Sequence, residues 1–592
     1  MKRKIILIIL STLFLSCIYA ENVKIVKTRT AGTLASRISE SKWSKITDLT
    51  VIGPINSQDI AFLKETMKES KSLHNIDLEQ ATGITSINEA GFTGCSSLCN
   101  LTLPKDLEII GHAAFEDCSS LTTVTISDKL KTIDNCAFER CGTLKAITIP
   151  NSVTRIGHKA FKGCSLLSQV DLSNTLDSIG DEAFQGCKAL TAINLPSSVK
   201  FMGNNTFESC DNLITINIPY GLEDIADNTF WGCERLKNIN LPGSIHKIGN
   251  YAFWGCEQLE NVTIPSGVQK IGDGAFNECE ALSAVIVPGS VKTIGNMAFF
   301  QCKHLQFLTL EEGIDSIGNS SFEYCESLNN INMPGSIKYL GSHAFEGCTS
   351  LHSIILPLNI NSINANTFQD CFSLTNIQIP DGVTRIDSCA FLDCKELSTV
   401  KLSNNIVWLG YRAFAGCTNL SGLDLPNGLR TISNEAFSLC GIRTIDIPNS
   451  VKTIGIGAFA LSDISAITIP GSVTNIGSNA FHDCTWLKEA TINEGVISIG
   501  DSAFASCWLL RSISIPSTIN KIGTDALNKC NSLKSLTVYA QIPMEYNLSV
   551  NKMICTLYVP GSALKRYSTS NGWKEFKKKV AIGKSPNMRK GK

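Results

Sequence analysis

Apolar residues recur along this chain at a fixed interval. Phe92, Phe115 and Phe138 open a series that runs to Phe437 in steps of 23 residues, and Phe459, Phe481, Phe504 and Leu527 extend it with steps of 22, 22, 23 and 23. The unit 144–166, LKAITIPNSVTRIGHKAFKGCSL, places its apolar residues at Leu144, Ile147, Ile149, Val153, Ile156, Ala160, Phe161 and Cys164. Ile147 and Ile149 alternate around Thr148, the period-two signature of a short strand with one buried face, and Pro150 ends it. Val153 to Gly157 predicts a second short extended or turning piece. Ala160-Phe161 before Gly163-Cys164 then suits a single helical or 3₁₀ turn that carries the ring inward.

One such unit presents a single layer of Leu, Ile, Val and Phe and cannot bury it alone. Stacked units complete one another's core, so the twenty windings, about three quarters of the chain, predict a solenoid. The expected class is a β-rich repeat solenoid with short strands and turns or single helical turns in each coil. Single-residue deletions after Phe437 and Phe459 fall in the turn and leave the apolar pairs Ile445/Ile447 and Ile467/Ile469 intact.

The recurring Leu-x-x-Ile-x-Ile-Pro, then Val-x-x-Ile-Gly, then Ala-Phe-x-x-Cys resembles the BspA-like, Treponema-type leucine-rich repeats over residues 73–540. The resemblance implies a secreted or cell-surface protein, outer membrane-associated if bacterial, of a family in which several members are adhesins. The repeat is shared more widely than any one partner, so it says more about fold and compartment than about the ligand.

Around the repeats, 21–72 is expected to be an N-terminal cap; from Gly32 to Glu79, helical periodicity at Leu34–Ile38 and Ile60–Met67 alternates with strand-like runs at Ile46–Ile52 and Leu73–Leu78. In the C-terminal cap expected over 541–582, Thr556–Val559 reads as a last strand and Ser562–Phe576 as a helix carrying Trp573; 583–592 reads as a basic flexible tail. Residues 1–20 read as a secretory signal: Lys2, Arg3 and Lys4, then an apolar stretch Ile5–Leu15, then Ala20. That stretch is too short for an ordinary bilayer span, and no membrane span is expected elsewhere. Leu15-Ser16-Cys17 leaves a lipid anchor at Cys17 open as an alternative to simple cleavage. Charge follows the same division. Lys2–Lys4 contribute +3 and Lys574–Lys592 +7, so a net of −1 leaves an acidic body, which argues against a nucleic-acid partner.

Nineteen of the 24 cysteines stand three residues after a repeat Phe, and Ser462 fills the one vacancy in that column. A column that accepts Ser predicts free, buried thiols filling one layer rather than disulfides. Cys136 and Cys389 sit two residues before a Phe and are expected to be partly exposed. Cys95-x-x-x-Cys99 alone does not make a zinc motif, the eight His offer no His-x-x-x-His pair, and no nucleophile has a matching base. The chain is therefore not expected to be an enzyme or to carry a metal or other cofactor.

Function is expected on the surface. Eight and ten residues after each Phe lie outward strand positions, rich in amides and hydroxyls around Asn194, Asn217 and Asn240. Stacked amides serve either as hydrogen-bonded ladders along the stack or as a docking face for a protein or glycan. The position after Phe is usually Glu, Lys or Gln, yet becomes Trp231, Trp254 and Phe300 in three coils of four. These aromatics either pack on a neighbouring turn or offer a platform to a partner. The reading is a secreted or surface protein that binds a host or microbial protein or a glycan noncovalently. Its rival is a passive surface coat whose repeats matter only for shape.

Overall fold

A computed structural model describes residues 23–544 and 549–582. The expected leader, with Cys17, and the tail expected over 583–592 lie outside the described residues. Contacts divide the chain at Leu282–Ser283 into two compact units, each a stack of parallel coils.

In the first unit, strands Ala146–Thr148 and Gln169–Asp171 pair in parallel, with Ile147 opposite Val170. A second row follows the same rule, Arg155–Ile156 against Ser178–Ile179. Each partner stands one repeat away, so the sequence period is the sheet register. The outward–inward–outward pattern of the three-residue strands puts Ile147 and Ile149 in the core, as the alternation predicts. Before these coils, helix Ser57–Ser70 starts on a capping box in which Asn56 and Asp59 bond each other's backbone. The buried Asp59 carboxylate also accepts from the N–H groups of Gly32 and Leu34, at 2.7 and 2.9 Å. This offsets the cost of burying it.

The segment around each Phe is a hydrogen-bonded turn, not a helical one. Two left-handed residues flank each ring, such as Lys159 (φ 56°) and Gly163 (φ 73°) around Phe161. Left-handed residues cannot propagate a helix. Their N–H groups instead point along the stack: Lys159, Phe161 and Gly163 donate to the carbonyls of Asp181, Ala183 and Gln185 in the next coil, at 2.7–2.8 Å. Each coil thus satisfies its neighbour's backbone, which compensates the strain of the non-glycine left-handed positions.

The Ile-Gly step has an equally direct cause. A Cβ on Gly180 would stand 2.6 Å from the backbone nitrogen of His158, so the coils approach too closely for any side chain there. The residue after that glycine is often Asn or Asp. Asp181 Oδ1 accepts from Asn204 N–H, Asn204 Oδ1 from Asp227, and Asp227 Oδ1 from Asn250, at 2.8–3.1 Å.

In both units the Phe rings are fully buried and stack face to face along the coils. Phe138 and Phe161 stand 5.3 Å apart at 4°, and Phe322 and Phe345 5.4 Å apart at 7°. Beside them the first ladder thiol, Cys95, donates to the Lys64 carbonyl, and those that follow it donate along the stack to the carbonyl of the previous coil's Phe, as Cys187 to Phe161 at 3.3 Å and Cys348 to Phe322 at 3.2 Å. All 23 cysteines of the described residues are free thiols. Ser462, by contrast, bonds the Phe459 carbonyl of its own coil at 2.6 Å. Mass-spectrometric mapping after brief thiol labelling of the folded protein should find Cys99, Cys136 and Cys389, all half-buried, modified first. Labelling of Cys210 or Cys233 at the rate of Cys389 would contradict this packing.

In the second unit, the 22-residue coils keep their register, Thr431 opposite Thr453 and Thr453 opposite Asn475. Ile445 and Ile447 stay buried, but their stretch forms only the single bridge Gly422–Thr444, because Gly422 lacks a side chain to favour the strand. Two C-terminal expectations are corrected. Thr556–Pro560 is followed by a further parallel strand, Lys578–Ile582. The helix covers only Leu564–Thr569, since Ser570 is extended and Gly572 left-handed (φ 77°). Trp573 lies beyond it, buried against Tyr567 and bonded through Nε1 to the Met544 carbonyl at 2.8 Å.

Candidate functional site

Four successive parallel strands of the first unit, Ala192–Asn194, Thr215–Asn217, Asn238–Asn240 and Asn261–Thr263, turn their middle residue inward and both flanking residues outward. The one-repeat register then aligns the flanking side chains in two rows: Asn194, Asn217, Asn240 and Thr263, and beside them Thr215, Asn238 and Asn261. Between the rows lies an open groove of about 470 Å³. Asn194, Asn217 and Asn240 are therefore brought together as one surface.

What the amides do there separates the two readings of such a row. Near the start of the stack the polar side chains bond from coil to coil: Asn100 donates to Asn75 at 2.6 Å and Thr123 to Asn100 at 2.5 Å. In the groove only Asn217 is committed, accepting from Leu195 N–H at 2.8 Å and donating to the Leu195 carbonyl at 2.7 Å. The side chains of Asn194, Asn238, Asn240 and Asn261 have no hydrogen-bond partner among the described residues and face solvent. Their donors and acceptors are open to a ligand.

Trp231 and Trp254 form a parallel stack, centroids 4.9 Å apart at 1°, and Tyr251 leans on Trp254 at 5.2 Å. Trp231 is 37% exposed, while Trp254 is half-buried between its neighbours. The aromatics line no part of the amide groove. The next residue of that column, Asn277, is buried with its carbonyl oxygen unsatisfied. Phe300, in the second unit, is half-buried edge-on to Tyr324, with centroids 5.8 Å apart. A second groove of about 390 Å³ lies in the same unit where the strand row is interrupted at Gly422, with Asp424 and Asp446 on its wall. Sequence periodicity singles out no such gap, because the gap follows from a weak strand rather than from a changed period.

The profile of the BspA type leucine rich repeat region, six repeats at a time, matches in overlapping stretches from residue 61 to residue 549. The chain belongs to the BspA-type leucine-rich repeat family. A leucine-rich repeat protein from Bacteroides ovatus of known structure is 31% identical to this BspA-type protein, over 66% of this chain and 86% of that one, with a TM-score of 0.45. A leucine rich cell surface protein from Faecalibacterium prausnitzii is 24% identical over 61% and 83%, TM-score 0.31. The T. pallidum leucine rich repeat protein is 29% identical over 30% and 72%, TM-score 0.23. No curated protein matches the chain. No helix among the described residues is long and apolar enough to cross a membrane.

Proposed function

We propose that this BspA-type protein is a secreted or cell-surface binding protein that holds a protein or glycan noncovalently on the amide groove of its first unit. The observation that carries the reading is the set of four uncommitted asparagine amides on three of the four groove strands, where polar side chains near the start of the stack are bonded to one another. Each primary amide offers two donors and an acceptor, which suits the hydroxyls of a sugar or the backbone of an extended chain. Affinity would concentrate in a few such anchors, with the stacked Trp231 and Trp254 as a separate apolar contact. In this reading the molecule does no chemistry on its ligand. The leader-like residues 1–20 support export, and segments 21–72 and 541–582 serve to cover the ends of the array.

The test is saturable binding of the purified protein to a glycan array and to immobilised extracellular matrix proteins. The triple variant Asn194→Ala, Asn238→Ala, Asn240→Ala should weaken the binding by about tenfold or more, as loss of about 1.4 kcal/mol would, and leave the unfolding temperature unchanged. Trp231→Ala with Trp254→Ala tests the aromatic contact independently. Absence of saturable binding, or binding indifferent to both sets, would favour the passive coat.

A further inference from the structure

In some coils the turn edge carries a carboxylate two residues before or one after the buried Phe, and several of these are matched by a base. Arg140 bonds Glu116, Asp117 and Glu139 at 2.6–2.7 Å, Lys162 meets Glu182 at 2.5 Å, and Arg412 meets Glu435 at 2.6 Å. One place in the second unit differs from these in bringing two such carboxylates together. Glu323 and Glu346 occupy the same column in consecutive coils, and neither pairs with a Lys or Arg among the described residues. The residue beside them is His343, whose Nδ1 bonds the Glu346 carboxylate.

We propose that Glu323, His343 and Glu346 form a binding site for a divalent transition-metal ion of the zinc class. One ligand atom from each residue lies within 4.8 Å of the others. Ligands on a tetrahedral zinc ion stand about 3.4 Å apart, at metal–ligand distances of about 2.0–2.2 Å. Closing that difference asks for rotation of the Glu323 and His343 side chains, both half-exposed. The backbone is already fixed: Glu346 N–H donates to the His343 carbonyl at 3.2 Å, and Tyr324 N–H donates to the Glu346 carbonyl at 2.7 Å, tying the two coils together. Such preorganisation is what a metal site requires of its scaffold.

The second argument is charge. Glu346 is only 6% exposed, so a buried carboxylate stands here with Glu323 and Asp370 near it and the His343 imidazole as its partner. A dication would neutralise the two carboxylates that no Lys or Arg among the described residues pairs with. One imidazole nitrogen with two carboxylates suits zinc and its neighbours rather than calcium or magnesium, which prefer oxygen alone. Coordination is completed by water on the exposed side, and the ion would link one coil to the next.

Titration calorimetry with zinc chloride on the purified protein, with magnesium and calcium chloride in parallel, tests the site. One saturable zinc site is expected, with neither of the other ions replacing zinc at equal concentration. His343→Ala and Glu323→Gln should each weaken zinc binding by at least about 10- to 100-fold, the loss that removal of even an outer-shell partner produces. Both alter half-exposed side chains, and circular dichroism without metal should show their fold unchanged. Cys136→Ser with Cys389→Ser should bind zinc as the parent does. Absence of zinc binding, or binding that survives His343→Ala and Glu323→Gln and is lost with the cysteines, would overturn the site.

Discussion

Raising the pH above about 9 under a reductant should unfold the protein in a steep transition, because burial holds the ladder thiols protonated in the folded state. Burial pushes the thiols of Cys118, Cys141, Cys164, Cys187, Cys210, Cys233 and Cys256 well above their ordinary value of 9.0, and Cys484 up to about 12. Above pH 9 the unfolded chain releases these protons and the folded chain keeps them, so folding binds protons and stability falls as pH rises. Below 9 both states are protonated and the contribution of the thiols is complete; above 9 it is lost progressively as the pH rises toward the raised values of the folded state. One thiol removes about 1.4 kcal/mol per pH unit, and the seven from Cys118 to Cys256 together about 10 kcal/mol per unit. A typical domain has about 5–15 kcal/mol in all.

Thiolate ultraviolet absorbance and far-ultraviolet circular dichroism, followed in the same titration, check this. They should change together, and Cys210→Ser with Cys233→Ser should make the transition shallower by two protons. Ser462 shows that the column accepts a hydroxyl, so the double variant is expected to fold. Thiolate appearing while the circular dichroism is still native would show that the ladder titrates in place.

The same ladder illustrates what could be read from the chain and what could not. Period, strand positions and inward column were legible because Phe, Leu, Ile and Cys recur there with little substitution, and large apolar side chains leave few alternatives. The turn conformation was hidden. Cys136, Lys159, Glu182 and Tyr251 all adopt the left-handed region at one column, and nothing in their chemistry announces it. Their shared cause is an N–H aimed at the next coil, a relation between residues about one repeat apart.

Partners one coil away were equally invisible: a thiol's hydrogen bond to the previous Phe carbonyl has no local signature. Outward asparagines were expected at Asn194, Asn217 and Asn240, but only coordinates separate the committed Asn217 from the open pair. The Glu323, His343, Glu346 cluster matches no spacing motif, yet writing the repeats one beneath another would have placed two Glu in one column with a His at the next coil's entrance. The C-terminal helix was overextended because periodicity says nothing of Gly572, whose left-handed backbone follows helix termination.

Replacing Phe253 by Ala should cost about 3–5 kcal/mol, the range for deleting a fully buried Phe. Phe253 is inaccessible to solvent and stacks on both sides, against Phe230 at 5.2 Å and Phe276 at 5.1 Å. In a stack whose stability is the sum of each coil and its two interfaces, loss of one ring weakens both interfaces at once. The damage should be local. Native-state hydrogen exchange should lose protection in the strands Asn238–Asn240 and Asn261–Thr263, while Val23–Lys27 and Asp48–Pro54 keep theirs. Phe253→Leu should cost less than half as much, since Leu527 already fills that column at 2% exposure. Trp231→Ala, at a side chain 37% exposed and stacked on one side only, should fall well below Phe253→Ala. Urea unfolding of the three variants orders them. If Phe253→Ala cost no more than Trp231→Ala, the buried rings would not be what holds neighbouring coils together.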